Sequence, residues 1–129
     1  MNEREDHLLH RRQRFLIVDD NPENLMVTRS LLKRTAVFVD TAASGEECVH
    51  KVRQNVYDLI LLDYMMPQMD GIDTIRELKK DVQFHIPVIA LTADVTKGIE
   101  QTFLREGFCA YLSKPVMWSK FRRPADEIF

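Results

Sequence analysis

Short apolar runs alternate along the chain with longer segments in which apolar residues recur every three or four positions. The runs are rich in aliphatic and β-branched residues and end abruptly at polar ones, which is typical of strands buried on both faces. The predicted strands are residues 15–18, 37–42, 58–63, 88–91 and 109–113. Because helical segments separate them, we expect parallel pairing in a single doubly wound α/β domain of three layers.

The segments between the strands carry start and stop signals of helices. Asn21 before Pro22 predicts an N-cap followed by proline at the first helical position. Ser44 with Glu47 three residues later predicts a capping box, and Gly107 occupies the position of a helix-ending glycine. The helical residues predicted to face the sheet are Leu25, Val27, Thr28, Leu31 and Leu32, then Val49, Val52 and Val56, then Ile72, Ile75 and Leu78, then Ile99 and Phe103.

The two ends of the chain are less regular than the middle. Residues 1–14 carry seven charged side chains with little periodicity, which predicts a flexible tail or linker ahead of a folded domain at residues 15–129. A fifth helix is expected to begin near Met117, but Pro124 would break it after about two turns.

Composition excludes several classes of protein. The 129 residues suffice for one domain, and 18 basic against 20 acidic residues give a net charge of −2, which argues against a dedicated nucleic-acid binder. No apolar run approaches the roughly 20 residues that cross a bilayer, and the charged N-terminus does not resemble a signal peptide, so we expect a cytoplasmic location. Cys48 and Cys109 form no metal-binding spacing and are predicted to be buried thiols.

Chemically active side chains gather where the predicted strands end. These residues are Asp19, Asp20, Asp63, Thr92 and Lys114. Ligands of open parallel sheets bind beyond the carboxyl ends of the strands. Three carboxylates there would repel one another, and Mg²⁺ would relieve the repulsion, whereas zinc would want His or Cys ligands. Together with a hydroxyl and an ammonium group, this set is suited to phosphoryl transfer onto an aspartate.

Four segments closely resemble the receiver domain of two-component response regulators. They are VDDNP at 18–22, LLDYMMPQMDG at 61–71, IALTA at 89–93 and YLSKP at 111–115, in the order and spacing of that family. The match covers about residues 15–116 and is most similar to receivers of hybrid sensor histidine kinases. The resemblance implies a flavodoxin-like domain with strand order 2-1-3-4-5 and about five helices.

The resemblance also implies a role for each site residue. Asp63 would accept the phosphoryl group from a phosphohistidine. Asp19, Asp20, Asp63 and the backbone carbonyl of Met65 would hold Mg²⁺, with Mn²⁺ as an alternative cation. Lys114 would pair with the phosphate or, before phosphorylation, with Asp63.

A conformational switch follows from the same resemblance. Thr92 would take part in the chemistry and swing toward the phosphoryl oxygen, and Tyr111 would then move inward. These movements would alter the face formed by helix four, strand five and helix five. A tyrosine in a strand is also often a simple packing residue at the edge of the core, so a structural role for Tyr111 stays open.

The expected partners are those of a signalling switch rather than of a general enzyme. A histidine kinase or histidine phosphotransfer domain would donate the phosphoryl group, and a downstream protein or in-chain output would respond. A homodimer that forms on phosphorylation is a further expectation, and direct nucleic-acid binding or a membrane segment is not expected. The chain would be a stand-alone receiver or part of a hybrid kinase. The charged N-terminal stretch favours the hybrid kinase.

Three alternatives share part of this pattern. A phosphatase of the haloacid dehalogenase kind also uses an aspartate, Mg²⁺ and a lysine, but its DxDx[TV] motif is absent from the end of the first strand. A flavodoxin-like cofactor binder would need a phosphate loop rich in hydroxyl groups and glycine, where this chain has acids. A degenerate receiver that only binds proteins would not need the complete set of site residues.

Overall fold

The sheet contains five parallel strands, as the sequence predicts. A computed structural model describes residues 13–33, 37–93, 96 and 98–114 of the chain. The strands are β1 (Arg14–Val18), β2 (Phe38–Ala42), β3 (Leu59–Asp63), β4 (Val88–Thr92) and β5 (Ala110–Ser113). Their order is β2-β1-β3-β4-β5 and each neighbouring pair is parallel, which confirms the predicted topology.

Helices connect the strands within the described part of the chain. They are α1 (Pro22–Leu32), α2 (Gly45–Gln54), α3 (Gly71–Leu78) and α4 (Ile99–Glu106). The fifth helix predicted from Met117 and residues 1–12 of the predicted tail lie outside the described residues. None of the described helices is long and apolar enough to cross a membrane.

Two apolar clusters cover the two faces of the sheet. One joins strand residues such as Leu62 to Val49 of α2, Ile75 of α3 and Phe103 of α4. The other joins the alternate strand residues to Leu32 of α1. Because successive strand side chains point to opposite faces, α1 packs on one apolar face and α2, α3 and α4 pack on the other, and every residue of β3 and β4 is buried.

The predicted helix signals are confirmed, with one difference. The side chain of Asn21 accepts hydrogen bonds from the first turn of α1, and Gly107 ends α4 with a φ of +105°. The Ser44 hydroxyl accepts a hydrogen bond from the backbone N–H of Glu47 at 3.1 Å. The Glu47 carboxylate in turn accepts from the backbone N–H of Ala43 at 2.9 Å, one residue earlier than in a regular capping box.

Three residues predicted to be buried are exposed. Val27 is 53% exposed because α1 buries the narrower stripe through Thr28. Val56 is 69% exposed because α2 ends two residues before it. Cys109 is exposed because its neighbour Phe108 takes the inward position, whereas Cys48 is buried as predicted.

Candidate functional site

The carboxyl edge of the sheet brings the predicted site residues together. Asp19 follows β1, Asp63 ends β3, Thr92 ends β4 and Lys114 follows β5. Asp63 and Thr92 are almost completely buried, at 2% and 1% exposure, because β3 and β4 lie in the middle of the sheet. The four strand ends thus deliver polar groups to one place, as the fold class predicts.

Three carboxylates form the acidic part of the site. One oxygen each from Asp19, Asp20 and Asp63 lies within 4.8 Å of the others. Asp19 and Asp63 are buried, whereas Asp20 is exposed. The backbone N–H of Asn21 donates to Asp19 Oδ1 at 3.0 Å, which fixes the position of that carboxylate. An oxygen-only set that is open to solvent on one side fits Mg²⁺, because this cation keeps several waters and accepts phosphate oxygens.

Lys114 links two of these carboxylates. Its Nζ lies 2.8 Å from Asp63 Oδ1 and 3.2 Å from Asp19 Oδ2. The first contact is the one that the family resemblance implies, and the second was not predicted. Burial lowers the pKa of Lys114, but the pairs with Asp63 and Asp19 outweigh burial and hold its pKa above the usual value. The ammonium group is therefore charged at neutral pH and available to an incoming anion.

The surroundings of Asp63 disfavour its ionised form. Burial raises its pKa, the hydrogen bond from Lys114 opposes that rise, and the nearby charge of Asp19 adds to it, so that the pKa reaches about 6. A divalent cation beside the three carboxylates would favour the ionised form. The same shift predicts how the metal-free protein responds to pH.

We expect Asp63→Asn to stabilise the metal-free protein above pH 6. The pKa of Asp63 in the folded protein lies above its ordinary value of 3.8. The unfolding free energy therefore falls as the pH rises from the unfolded-state pKa to the folded-state pKa of this group. A pKa of about 6 in place of 3.8 corresponds to roughly 3 kcal/mol of unfolding free energy. Urea unfolding with a chelator should show this gain near pH 8 and little gain near pH 4.

Asp81→Asn is the matched control for this stability measurement, because Asp81 is exposed and lies in the turn after α3. It should change the unfolding free energy little at either pH. An Asp63→Asn gain of equal size at both pH values would contradict the assignment of a raised pKa to Asp63.

The loop from β3 to α3 borders the acidic cluster. Within it, the backbone N–H of Met69 donates to the carbonyl of Pro67 at 2.7 Å, which closes a three-residue turn around Gln68. Gln68 has a φ of +67°, a region that residues other than glycine rarely adopt. Met65, whose carbonyl is the predicted metal ligand, is 68% exposed at the start of this loop.

Gly71 contributes to the site through close packing, a role that the sequence reasoning missed. Its backbone N–H donates to the carbonyl of Tyr64 at 2.9 Å. A Cβ atom on Gly71 would lie only 2.6 Å from the carbonyl oxygen of Asp63. The sequence signal was a glycine directly after the N-cap Asp70, where most residues would favour the helix more.

Comparison with known proteins decides the family. The family model of the response regulator receiver domain matches residues 15–123. The chain belongs to this receiver family. The receiver is 38% identical to the polar-differentiation response regulator DivK of Brucella ovis over 108 residues, which cover 82% of this chain and 87% of DivK.

Relatives also occur inside sensor kinases. The receiver is 28% identical over 115 residues to the autoinducer 2 sensor kinase/phosphatase LuxQ of Vibrio vulnificus strain YJ016. The match covers 89% of this chain and only 13% of LuxQ. A receiver domain of a Pseudomonas aeruginosa PAO1 sensor histidine kinase, with a magnesium ion in its active-site cleft, is 32% identical with a TM-score of 0.81. That match covers 90% of this chain and 96% of the solved one.

The family membership confirms the predicted class of function. Receiver domains are switches of two-component signalling that take a phosphoryl group from a histidine kinase or phosphotransfer domain. They bind Mg²⁺ at an acidic pocket, and Asp19, Asp20 and Asp63 form such a pocket in this chain. The family match favours neither the phosphatase nor the cofactor binder considered above.

Proposed function

We propose that this receiver accepts a phosphoryl group on Asp63 from a phosphohistidine in a phosphorelay. The contact of 2.8 Å between Lys114 Nζ and Asp63 Oδ1, beside the carboxylates of Asp19 and Asp20, carries the proposal. This arrangement places the buried carboxylate of Asp63 between the ammonium group of Lys114 and two further carboxylates that can bind a metal. The free cysteines agree with a reducing cytoplasm as the location.

In the proposed reaction, a carboxylate oxygen of Asp63 attacks the phosphorus atom of the donor. The P–N bond to the donor imidazole breaks, the imidazole nitrogen keeps the electron pair, and an acyl phosphate forms on Asp63. Lys114 stabilises the negative charge of the transferred group. Mg²⁺, held by Asp19, Asp20, Asp63 and the carbonyl of Met65, would neutralise phosphoryl charge when bound, and Mn²⁺ shares its preference for oxygen ligands.

The proposed output is a change of surface around α4 and β5. The phosphoryl group adds a charge of roughly −1.5 to −2 at the carboxyl edge of the sheet. The Thr92 hydroxyl would turn toward this charge, and Tyr111 would move into the space beside it. A downstream protein, an in-chain output or a second copy of the chain would then bind the altered face.

Intact-mass analysis after incubation with acetyl phosphate and Mg²⁺ tests this function. One phosphoryl group should be added per chain, and a chelator should prevent the addition. A beryllofluoride–Mg²⁺ titration followed by amide spectra is a second assay that needs no covalent donor. No adduct and no spectral change in the folded protein would contradict the proposed function and favour a degenerate receiver that only binds proteins.

We also propose that α1 contacts the protein donor. The helix begins two residues after Asp20, and Glu23 and Val27 are four positions apart on one stripe of it. Val27 is an exposed apolar residue that a docked donor would cover. We expect Val27→Arg to slow transfer from a phosphorylated histidine phosphotransfer domain about tenfold, a loss of about 1.4 kcal/mol. Phosphorylation by acetyl phosphate should be unchanged.

Val82→Arg is the matched control for this docking experiment. Val82 is also apolar and 96% exposed, but it lies before β4, at the opposite edge of the sheet from Asp63. Equal slowing by both variants would show a general charge effect and contradict docking on α1.

A further inference from the structure

Three aromatic rings connect the phosphoacceptor strand with the predicted switch residue. Tyr64 directly follows Asp63, and its ring meets the Phe103 ring nearly edge-on, with centroids 5.0 Å apart at 80°. Phe103 also contacts the ring of Tyr111, with centroids 6.0 Å apart at 42°. Phe103 belongs to α4 and Tyr111 to β5, so α4 supplies the middle ring. We refer to Tyr64, Phe103 and Tyr111 as the aromatic chain.

The first ring of the aromatic chain is tied to the site by its backbone. The N–H of Tyr64 donates to the carbonyl of Leu91 in β4 at 2.9 Å, and its own carbonyl accepts from Gly71 at 2.9 Å. A shift at the ends of β3 and β4 is therefore transmitted to the Tyr64 ring. Phe103 is only 1% exposed, and close packing leaves such a ring little room to absorb the shift alone.

The helix that carries the middle ring is held by hydrogen bonds at both ends. At its carboxyl end, Arg76 of α3 makes a two-pronged ion pair with Glu106 at 2.7 and 2.8 Å. The N–H of Phe108 also donates to the carbonyl of Phe103 at 2.9 Å. At the amino end, the backbone N–H of Ile99 donates to the carbonyl of Thr96 at 3.1 Å, and the N-cap Gly98 has no side chain to accept a hydrogen bond. The contacts at the carboxyl end therefore tie Phe103 to α3 and to the segment that leads into β5.

We propose that Phe103 is a positioning residue that couples Asp63 to Tyr111 and α4, in addition to Thr92. The inference rests on the proposed phosphorylation of Asp63. Inward movement of Tyr111 changes its contact with Phe103, and a contact that differs between two states shifts the equilibrium between them. By linkage, a partner that binds α4 and β5 also changes how readily Asp63 is phosphorylated.

The three tyrosines of the chain allow a direct test by ¹⁹F NMR of the full chain labelled with 3-fluorotyrosine. Tyr64 and Tyr111 report on the two ends of the aromatic chain, and Tyr→Phe variants assign the signals. Tyr57 is an internal reference, because its hydroxyl donates to Asp40 at 2.6 Å, apart from the acidic cluster. Beryllofluoride with Mg²⁺, a stand-in for the aspartyl phosphate, should shift the signals of Tyr64 and Tyr111 and leave that of Tyr57 unchanged.

Two variants interrupt the aromatic chain and one serves as the matched control. Phe103→Leu should retain beryllofluoride binding and the Tyr64 shift but lose the Tyr111 shift. Tyr64→Leu, at a partly exposed position, should also lose the Tyr111 shift and decides the question if Phe103→Leu does not fold. Phe108→Leu should keep both shifts, because Phe108 is buried against Phe103 at 5.5 Å but lies outside the aromatic chain.

The outcomes separate this inference from the proposed function. A full Tyr111 shift in Phe103→Leu and Tyr64→Leu overturns the coupling and leaves Thr92 as the connection. If Phe108→Leu also loses the Tyr111 shift, the coupling is overturned, because a general disturbance of the core would then explain the loss. If the wild-type chain binds no beryllofluoride and gains no phosphoryl group, the proposed function fails and the inference fails with it.

Discussion

Asp63→Asn is expected to abolish phosphorylation by acetyl phosphate completely. The amide that replaces the carboxylate cannot act as the nucleophile, so no acyl phosphate can form at this position. The change keeps the size of a side chain that is 2% exposed, and it removes a charge that burial disfavours, so the fold should persist. Intact mass after incubation with acetyl phosphate and Mg²⁺ measures the loss, and the amide spectrum shows that the variant is folded.

Asp81→Asn again serves as the control, and it should gain one phosphoryl group as the wild type does. A phosphoryl group that still adds to folded Asp63→Asn would place the acceptor on another carboxylate. Asp19 and Asp20 are the nearest candidates, because their oxygens lie within 4.8 Å of Asp63. That result would contradict the proposed role of Asp63 and leave the fold and the family untouched.

Gly71→Ala is expected to cause the largest loss of stability among these variants. Its Cβ would lie 2.6 Å from the carbonyl oxygen of Asp63 and 2.9 Å from the Cα of Tyr64. Both neighbours are backbone atoms, so no side chain can turn away, and α3 or the end of β3 must move. Forced overpacking of this kind costs up to about 3 kcal/mol of unfolding free energy. Urea unfolding measures this cost, and the rate of phosphorylation should fall as well, because the displaced backbone carries Asp63.

Gly98→Ala separates steric overlap from the conformational preference of glycine. Gly98 has a φ of +92°, but a Cβ there would meet nothing within 4 Å. Its replacement should cost about 1–2 kcal/mol through backbone strain alone. A smaller loss for Gly71→Ala than for Gly98→Ala would mean that the contact between Gly71 and β3 relaxes easily, which would refute the role given to Gly71.

The strands and the site residues could be predicted because their signals are local. An apolar run such as residues 59–62, ended by Asp63, reports burial on both faces without knowledge of its neighbours. The N-caps Asn21 and Ser44 act within one helical turn, so their role also follows from adjacent residues. The topology of parallel strands then places Asp63 and Lys114 at the same edge.

Burial on the helices was predicted less well, because it depends on how each helix is rotated and where it ends. Val27 has an apolar side chain, but the rotation of α1 turns Thr28 toward the sheet. Val56 fits the helical spacing of α2, but the helix ends at Gln54. Of the two residues just before β5, Phe108 is buried and Cys109 is exposed.

By itself, the sequence determined the α/β class, the five strands, the acidic residues at the strand ends and the family that their motifs resemble. These follow from periodicity, caps and short motifs, which act over a few residues. Only the tertiary structure decided that Lys114 also pairs with Asp19, that Gly71 packs on the backbone of Asp63, and that Phe103 lies between two tyrosines. These contacts join residues of different strands, helices and loops, and their distances depend on how the layers of the sheet and helices pack together.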